Sequence, residues 1–214
     1  MDFEQLHIFD SEHTLVWALL MLQAMNKSGI APCDNRTFHR LIYFGNTLAH
    51  LYDFQPPAEI VMRHPRGPFY PRAQVDLDRL CVMQLVKVSG FKLQQNGQIV
   101  ERLGTYDILP SGFACADKLR RNVQWAYSAS SFLLDLSVAF ASVNVGADSR
   151  SESKDPTYQS RSTEEFPVIN FSKFRRNLSL RVARELESRF PNDLRPVPQH
   201  LLRLYVRYLE MLAA

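Results

Sequence analysis

Glycine, cysteine and long apolar runs are all scarce in this chain. Only eight glycines occur in 214 residues, and they are dispersed. Neither Gly-x-x-x-x-Gly-Lys-Ser/Thr nor Gly-x-Gly-x-x-Gly is present, so no loop of backbone amides is set to cradle phosphates. Any ATPase must then be a partner. The Gly-x-Ser-x-Gly elbow of α/β-hydrolases is missing as well. The three cysteines, Cys33, Cys81 and Cys115, are odd in number and far apart, which predicts reduced thiols in a cytoplasmic protein rather than a disulfide framework or a zinc site. The histidines form no His-Glu-x-x-His. His39 and His50 are predicted on one helix, where ordinary polar packing outweighs a metal role. The longest apolar stretch, Leu15 to Met25, is broken by Gln23 and is too short to cross a bilayer. The start, Met1-Asp2-Phe3-Glu4, lacks the basic residues of a signal peptide. These absences predict no catalytic constellation, no metal, no cofactor and no membrane association.

What remains is a basic, arginine-rich chain with ample core material. Apolar residues make up 46% of it, enough for one domain with an appendage or for two small domains. Residues 1–62 carry a net charge of −4 and residues 171–214 a net charge of +5. Arginine outnumbers lysine 19 to 6, and guanidinium suits planar contact with phosphates and carboxylates. The asymmetry fits contact with nucleic acid or an acidic partner, or a solvated helical face.

Periodicity predicts a mainly α fold with a small β wing: a winged-helix-like core followed by C-terminal helices. Ser11 caps a helix to about Lys27, and Asp34 or Asn35 caps a second to about Tyr52. Pro71 suits the first turn of a third, reaching about Leu85. Asn96-Gly97 marks a hairpin between strands near 86–93 and 99–103, with a third short strand at 106–109. Ser111 caps the next helix, and helical character continues to Phe140 with a break near Ser128–Ser131. Residues 1–145 are read as the winged-helix domain. The polar segment 146–165 is a linker or mobile loop, and 166–214 is a C-terminal helical segment, with helices near 172–190 and 198–213.

Binding candidates stand out more than chemical ones. The loop Arg63 to Arg72 contains Pro65, Pro68 and Pro71, which restrict the backbone. It reads as a rigid partner-binding element presenting Arg63, Arg66, Pro68, Phe69, Tyr70 and Arg72. The alternative is a structural turn with Tyr70 packed underneath. Lys118, Arg120 and Arg121 follow the wing. Lys173, Arg175, Arg176, Arg181 and Arg184 form a second basic cluster, with Arg176, Leu180 and Arg184 on one face by helical spacing. Both clusters are candidates for DNA backbone or for an acidic partner. The last helix is apolar on a broad arc, which either packs on the core or offers a groove. Asp76, Asp78 and Asp107 could suggest a nuclease, but Asp76 and Asp78 should face different directions on their helix.

Several pieces in order along the chain resemble the middle component of bacterial ABC three-component defence systems, the Lamassu type included. They are Leu41-Ile42-Tyr43-Phe44-Gly45, Arg66-Gly67-Pro68-Phe69-Tyr70-Pro71, Asp76-Leu77-Asp78-Arg79-Leu80 with Met83-Gln84-Leu85-Val86, and Asp155-Pro156-Thr157-Tyr158. The resemblance implies a non-catalytic accessory subunit that bridges an SMC-like ABC ATPase and an effector, often a nuclease, and possible contact with double-stranded DNA. Such complexes act against phage or plasmid. One departure is Gln84, where the pattern leads to the expectation of glycine. The Leu-Ile-Tyr-Phe run followed by a Gly-Pro loop also resembles the Panacea antitoxin domain. That suggests the alternative of a free-standing winged-helix regulator or antitoxin.

Overall fold

The computed structural model describes residues 11–64, 67–96, 99–143, 151–160, 168–172 and 176–213. Helix α1, Ser11–Lys27, is rich in Leu, Ala and Met and is buried along most of its length, from Trp17 to Met25. An apolar helix with no polar stripe needs neighbours on every side, and α1 has them. Helix α2, Asn35–Leu48, begins where the Asp34 carboxylate accepts a hydrogen bond from the Thr37 amide at 2.8 Å, satisfying one of the donors a helix start leaves free. It runs into a 3-10 turn, Ala49–Tyr52, which Asp53 closes with φ 58°.

Strand β1, Cys33–Asp34, lies between α1 and α2. Strands β2, Ile60–His64, and β3, Gly67–Phe69, form a small hairpin that leads into α3, Pro71–Val82. Then come the wing strands β4, Val86–Asn96, and β5, Ile99–Ile108. Both are longer than the sequence suggests. An irregularity between Ser89 and Lys92, with Gly90 at φ 64°, keeps β4 continuous, and the expected third strand at 106–109 is largely the end of β5. The wing sheet has the order β1-β5-β4 and is antiparallel throughout. The order α1-β1-α2-α3-β4-β5, with the β2–β3 hairpin inserted before α3, is winged-helix-like. The third wing strand is supplied by the two residues of β1, not by a segment after the hairpin.

Helix α3 ends three residues earlier than expected, in a Schellman arrangement. The Leu85 amide bonds to the Leu80 carbonyl at 3.0 Å and the Gln84 amide to the Cys81 carbonyl at 3.0 Å. That geometry needs a left-handed residue after the helix, and Gln84 has φ 56°. This is the position where glycine was expected. Helix α4, Pro110–Asn122, is not capped by Ser111. Pro110 occupies its first turn, and the Ser111 hydroxyl donates to the Gln84 carbonyl at 2.5 Å. Helix α5, Gln124–Ala141, follows after Val123 leaves helical geometry, so the break falls at 123 and not near 128–131.

The 146–165 segment is corrected for residues 151–160, which pack as structure. They form two short helices, α6, Ser151–Lys154, and α7, Pro156–Gln159, with Glu152, Asp155, Thr157 and Tyr158 buried. The segment is polar because it carries the internal polar joints of the fold, and composition alone cannot tell these from a solvated loop. Strand β6, Val168–Asn170, adds to β2, giving a second sheet of order β3-β2-β6. Helix α8, Leu178–Ser188, starts later than expected because Asn177 caps it, its side chain accepting from the Leu180 amide at 3.0 Å. Helix α9, Pro198–Ala213, matches its expected span.

The C-terminal helices share one core with the winged-helix part. Leu201, Leu202, Tyr205, Val206 and Leu209 of α9 are buried in the same apolar cluster as Phe38, Phe44, Phe132 and Phe140. The Phe44 and Phe140 rings lie 4.7 Å apart. Each such side chain contributes roughly 1.5–3 kcal/mol by leaving water. Gly45 allows α1, α2 and α5 to close up: a Cβ there would sit 3.0 Å from Met21 Cε and 3.5 Å from Leu133 Cδ2.

Candidate functional site

Several of the polar residues that stand out in the sequence are engaged inside the molecule. Asp155 is fully buried and holds four elements together. It accepts from the Tyr43 hydroxyl of α2 and the Tyr205 hydroxyl of α9, each at 2.5 Å. It also accepts from the Ser179 hydroxyl of α8 at 2.7 Å and the Tyr158 amide of α7 at 3.0 Å. Burial pushes the Asp155 carboxyl above its ordinary range, against the opposing pull of those hydrogen bonds. Burial beside Asp155 raises both tyrosines well above theirs. Close by, Arg40 Nε lies 2.7 Å from Glu152 Oε2 in a buried ion pair. A buried pair of this kind adds little net stability but is costly to break.

The Arg63–Arg72 loop divides between inside and outside. The Arg63 guanidinium turns inward and donates to the carbonyls of Tyr158 and Ser160, with its carbon 5.3 Å from the Tyr158 ring centre. Pro68 and Tyr70 are buried, and Tyr70 packs beneath the loop. These three are structural, which corrects their reading as presented groups. Phe69 is half-buried, and Arg72 is exposed with its Nε 3.2 Å from Asp76. Arg66 lies outside the described residues.

The three aspartates do not converge. Asp76 is buried and accepts from Thr14 of α1 at 2.6 Å, from Arg72, and from Arg79 at 3.0 Å. Asp78 faces the wing and pairs with Arg102 of β5. Asp107 accepts from Asn26 at 2.9 Å. Among the described residues, no group of three or more His, Cys, Asp or Glu is placed to hold a metal ion. Among the described residues, no helix is long and apolar enough to cross a membrane.

The basic clusters are partly engaged in ion pairs. Arg120 lies 3.4 Å from Asp117, and the Arg121 side chain donates to the Asp117 carbonyl at 3.2 Å. Both sit in the last turn of α4, where cations favour the helix dipole. Lys118 is exposed beside them. Arg184 pairs with Glu187 at 2.9 Å. Arg176 precedes α8, so it shares no helical face with Leu180, which is buried, or with Arg184. Arg176 and Arg181 are exposed; Lys173 and Arg175 lie outside the described residues. Arg203 and Arg207, exposed on α9, were not singled out in the sequence. Their i, i+4 spacing was the available signal, hidden by the attention the apolar arc of α9 attracts.

Two features around α3 are open to a partner. The first is the outer face of α3 and the wing. Val75, Asp78 and Val82 follow one stripe of α3, and Val82 is 85% exposed, with Met83 at 54%. Arg102 reaches Asp78 one turn before Val82. Leu93, 63% exposed, is paired with Arg102 across the hairpin and therefore stands on the same sheet face. Apolar groups thus surround a neutralised ion pair. The other cations of α3, Arg72 and Arg79, both pair with the single Asp76 carboxylate.

The second feature is a cleft of about 630 Å³ between the start of α2, the β2–β3 hairpin, the start of α3 and β5. Its floor is His39, fully buried against Phe69, with ring centres 4.7 Å apart. The Tyr70 amide donates to His39 Nδ1 at 3.3 Å, so Nδ1 carries the lone pair and the proton sits on Nε2, 3.3 Å from the Gln74 carbonyl oxygen. Gln74 then donates to Asp78 at 3.0 Å. Burial pushes the His39 imidazole down to about 4. The floor is neutral at physiological pH and fixed in one tautomer. Sequence spacing marked His39 only as a helix residue; the pairing with the Phe69 loop is long-range and invisible there.

Comparison with known protein families, with curated proteins and with solved structures finds no match for this chain.

Proposed function

We propose that this chain is a non-catalytic, cytoplasmic accessory subunit that docks protein partners through the exposed face of α3 and the wing. The observation that carries the reading is the character of that face: Val82, Met83 and Leu93 stand in solvent while the neighbouring Arg72, Arg79 and Arg102 are each engaged in an ion pair with Asp76 or Asp78. DNA-backbone recognition depends on free cations, and an exposed apolar patch marks a protein contact. The motif resemblance supplies the identity of the partners: an SMC-like ABC ATPase and an effector, the nuclease type foremost, in a defence complex against phage or plasmid. The motif residues Tyr43, Asp76 and Asp155 are buried joints of the fold. Direct DNA contact, where it occurs, falls to the exposed cations Lys118, Arg176 and Arg181.

The test is made in the native host. Removing the chain, or introducing Val82→Asp with Leu93→Asp, is expected to raise phage plating or plasmid retention equally, with the variant still present at wild-type level. No change in either assay on removal contradicts the defence reading. Tight, site-selective duplex binding that survives both substitutions favours the free-standing regulator.

A further inference from the structure

We infer that the His39 cleft is a strand-addition site, which takes an extended segment of a partner protein carrying a large apolar side chain and a neighbouring carboxylate. This deepens the reading of the chain as a binding subunit and does not depend on the defence assignment. Strand β1 pairs with β5 only at Cys33–Tyr106 and Asp34–Thr105, because α2 begins at Asn35. Beyond Thr105, β5 runs on to Ile99 with β4 on its other side. Along residues 102–104 the β1 side of β5 therefore has no strand partner among the described residues. The opposite wall is β3, itself an edge strand of the second sheet. Open edges accept an incoming strand by main-chain hydrogen bonds, while alternate side chains enter pockets.

Three further observations define the occupant. Asn35 lines the cleft at the point where β1 gives out, and its side-chain oxygen has no hydrogen-bond partner among the described residues, so a rotation of that side chain lets it accept from a main-chain amide of the guest. The cavity between Phe69, Val75 and Leu103 is mainly apolar, and its His39 floor is neutral, which suits an aromatic or large aliphatic anchor. Charge selects the flanking residue. Asp34 is engaged at the Thr37 amide and Arg102 at Asp78. Arg36 is exposed at the rim with no ion-pair partner among the described residues, and a guest carboxylate completes it.

The experiment selects 12-residue peptides from a random display library on the full chain, then measures their affinity by fluorescence anisotropy. The expected peptides carry an apolar anchor beside Asp or Glu. Their affinity falls at least tenfold on Arg36→Glu and on Val75→Asp, two exposed positions that leave the fold intact. N-methylation at alternate residues abolishes binding in one frame and spares it in the other, because a strand shows alternate amides to its neighbour. Any of the following overturns the proposal: no enriched peptide, peptides that bind as helices or with no N-methyl frame dependence, binding indifferent to both substitutions, or a dimer of this chain dissolved by Val75→Asp. The defence assay above has no bearing on these outcomes.

Discussion

Gly112→Ala is a substitution that helix propensity favours and this packing forbids. An added Cβ at Gly112 would lie 2.2 Å from the Leu85 carbonyl oxygen, 2.8 Å from Ile108 Cγ1 and 3.1 Å from the Leu85 carbonyl carbon. The oxygen cannot retreat freely, since it also accepts from the Leu109 amide at 2.9 Å. Relief requires either α4 or the turn between α3 and β4 to shift. Overpacking that moves backbone costs about 3 kcal/mol, and the helix-propensity gain of Ala over Gly returns at most about 1 kcal/mol. The net loss is about 2 kcal/mol, a fall in Tm of roughly 4–8 °C for a chain of this size. The control is Ala114→Gly, at an exposed site on the same helix, which should cost about 1 kcal/mol through propensity alone. Thermal unfolding followed by circular dichroism and urea titration distinguish the two. A Gly112→Ala protein as stable as wild type, or more stable, refutes the close approach of α4 to the wing turn.

Asp155→Ala leaves three hydroxyls and an amide without their acceptor, and should cost at least about 3 kcal/mol in urea unfolding; a loss below about 1 kcal/mol contradicts its role. For His39, the folded-state value of about 4 lies below the ordinary 6.5. Its stabilising contribution is therefore complete above pH 6.5 and is lost as the pH falls towards 4, by about 3 kcal/mol in all. The stability difference between wild type and His39→Asn, measured at pH 7 and pH 4, should change by that amount, and a pH-independent difference rejects the neutral floor. At Gln84, held at φ 56°, glycine should match or exceed the wild-type stability by up to about 1 kcal/mol, whereas valine should lose about 1 kcal/mol or more; an unfolding series in the reverse order contradicts the left-handed cap.

Local signals carried the wing and most of the helices. The hairpin pairing of the strands that flank Asn96-Gly97 (Gly97 itself lies outside the described residues), Pro71, the Asp34 cap and the run of apolar residues in α1 are each legible within a few residues of chain. The left-handed conformation at Gln84 was not read from the residues around it; glycine was expected there only from the family resemblance. Long-range partners were not legible. Arg63 looks like a presented cation until Tyr158 and Ser160 arrive from the other end of the chain. The 151–160 stretch looks like a linker because its Glu152, Asp155 and Thr157 are polar, yet each is buried among groups supplied by α2, α8 and α9 or by the β3 loop. The cleft combines residues from several separate elements, and of its lining only Phe69 and Pro68 were read from the sequence as partner-binding residues. Within the charge clusters, the acids that engage Arg120 and Arg184 are Asp117 and Glu187, three residues away along the helix in each case.

The measurement that bears most directly on the central claim is affinity capture of the full chain from its native host, wild type against Val82→Asp with Leu93→Asp, read by mass spectrometry. The account predicts that wild type retains an SMC-like ATPase together with an effector, and that the double variant, folded and equally abundant, loses at least one of them. Recovery of the chain alone, recovery with one small toxin, or retention of the same partners by the variant would contradict it.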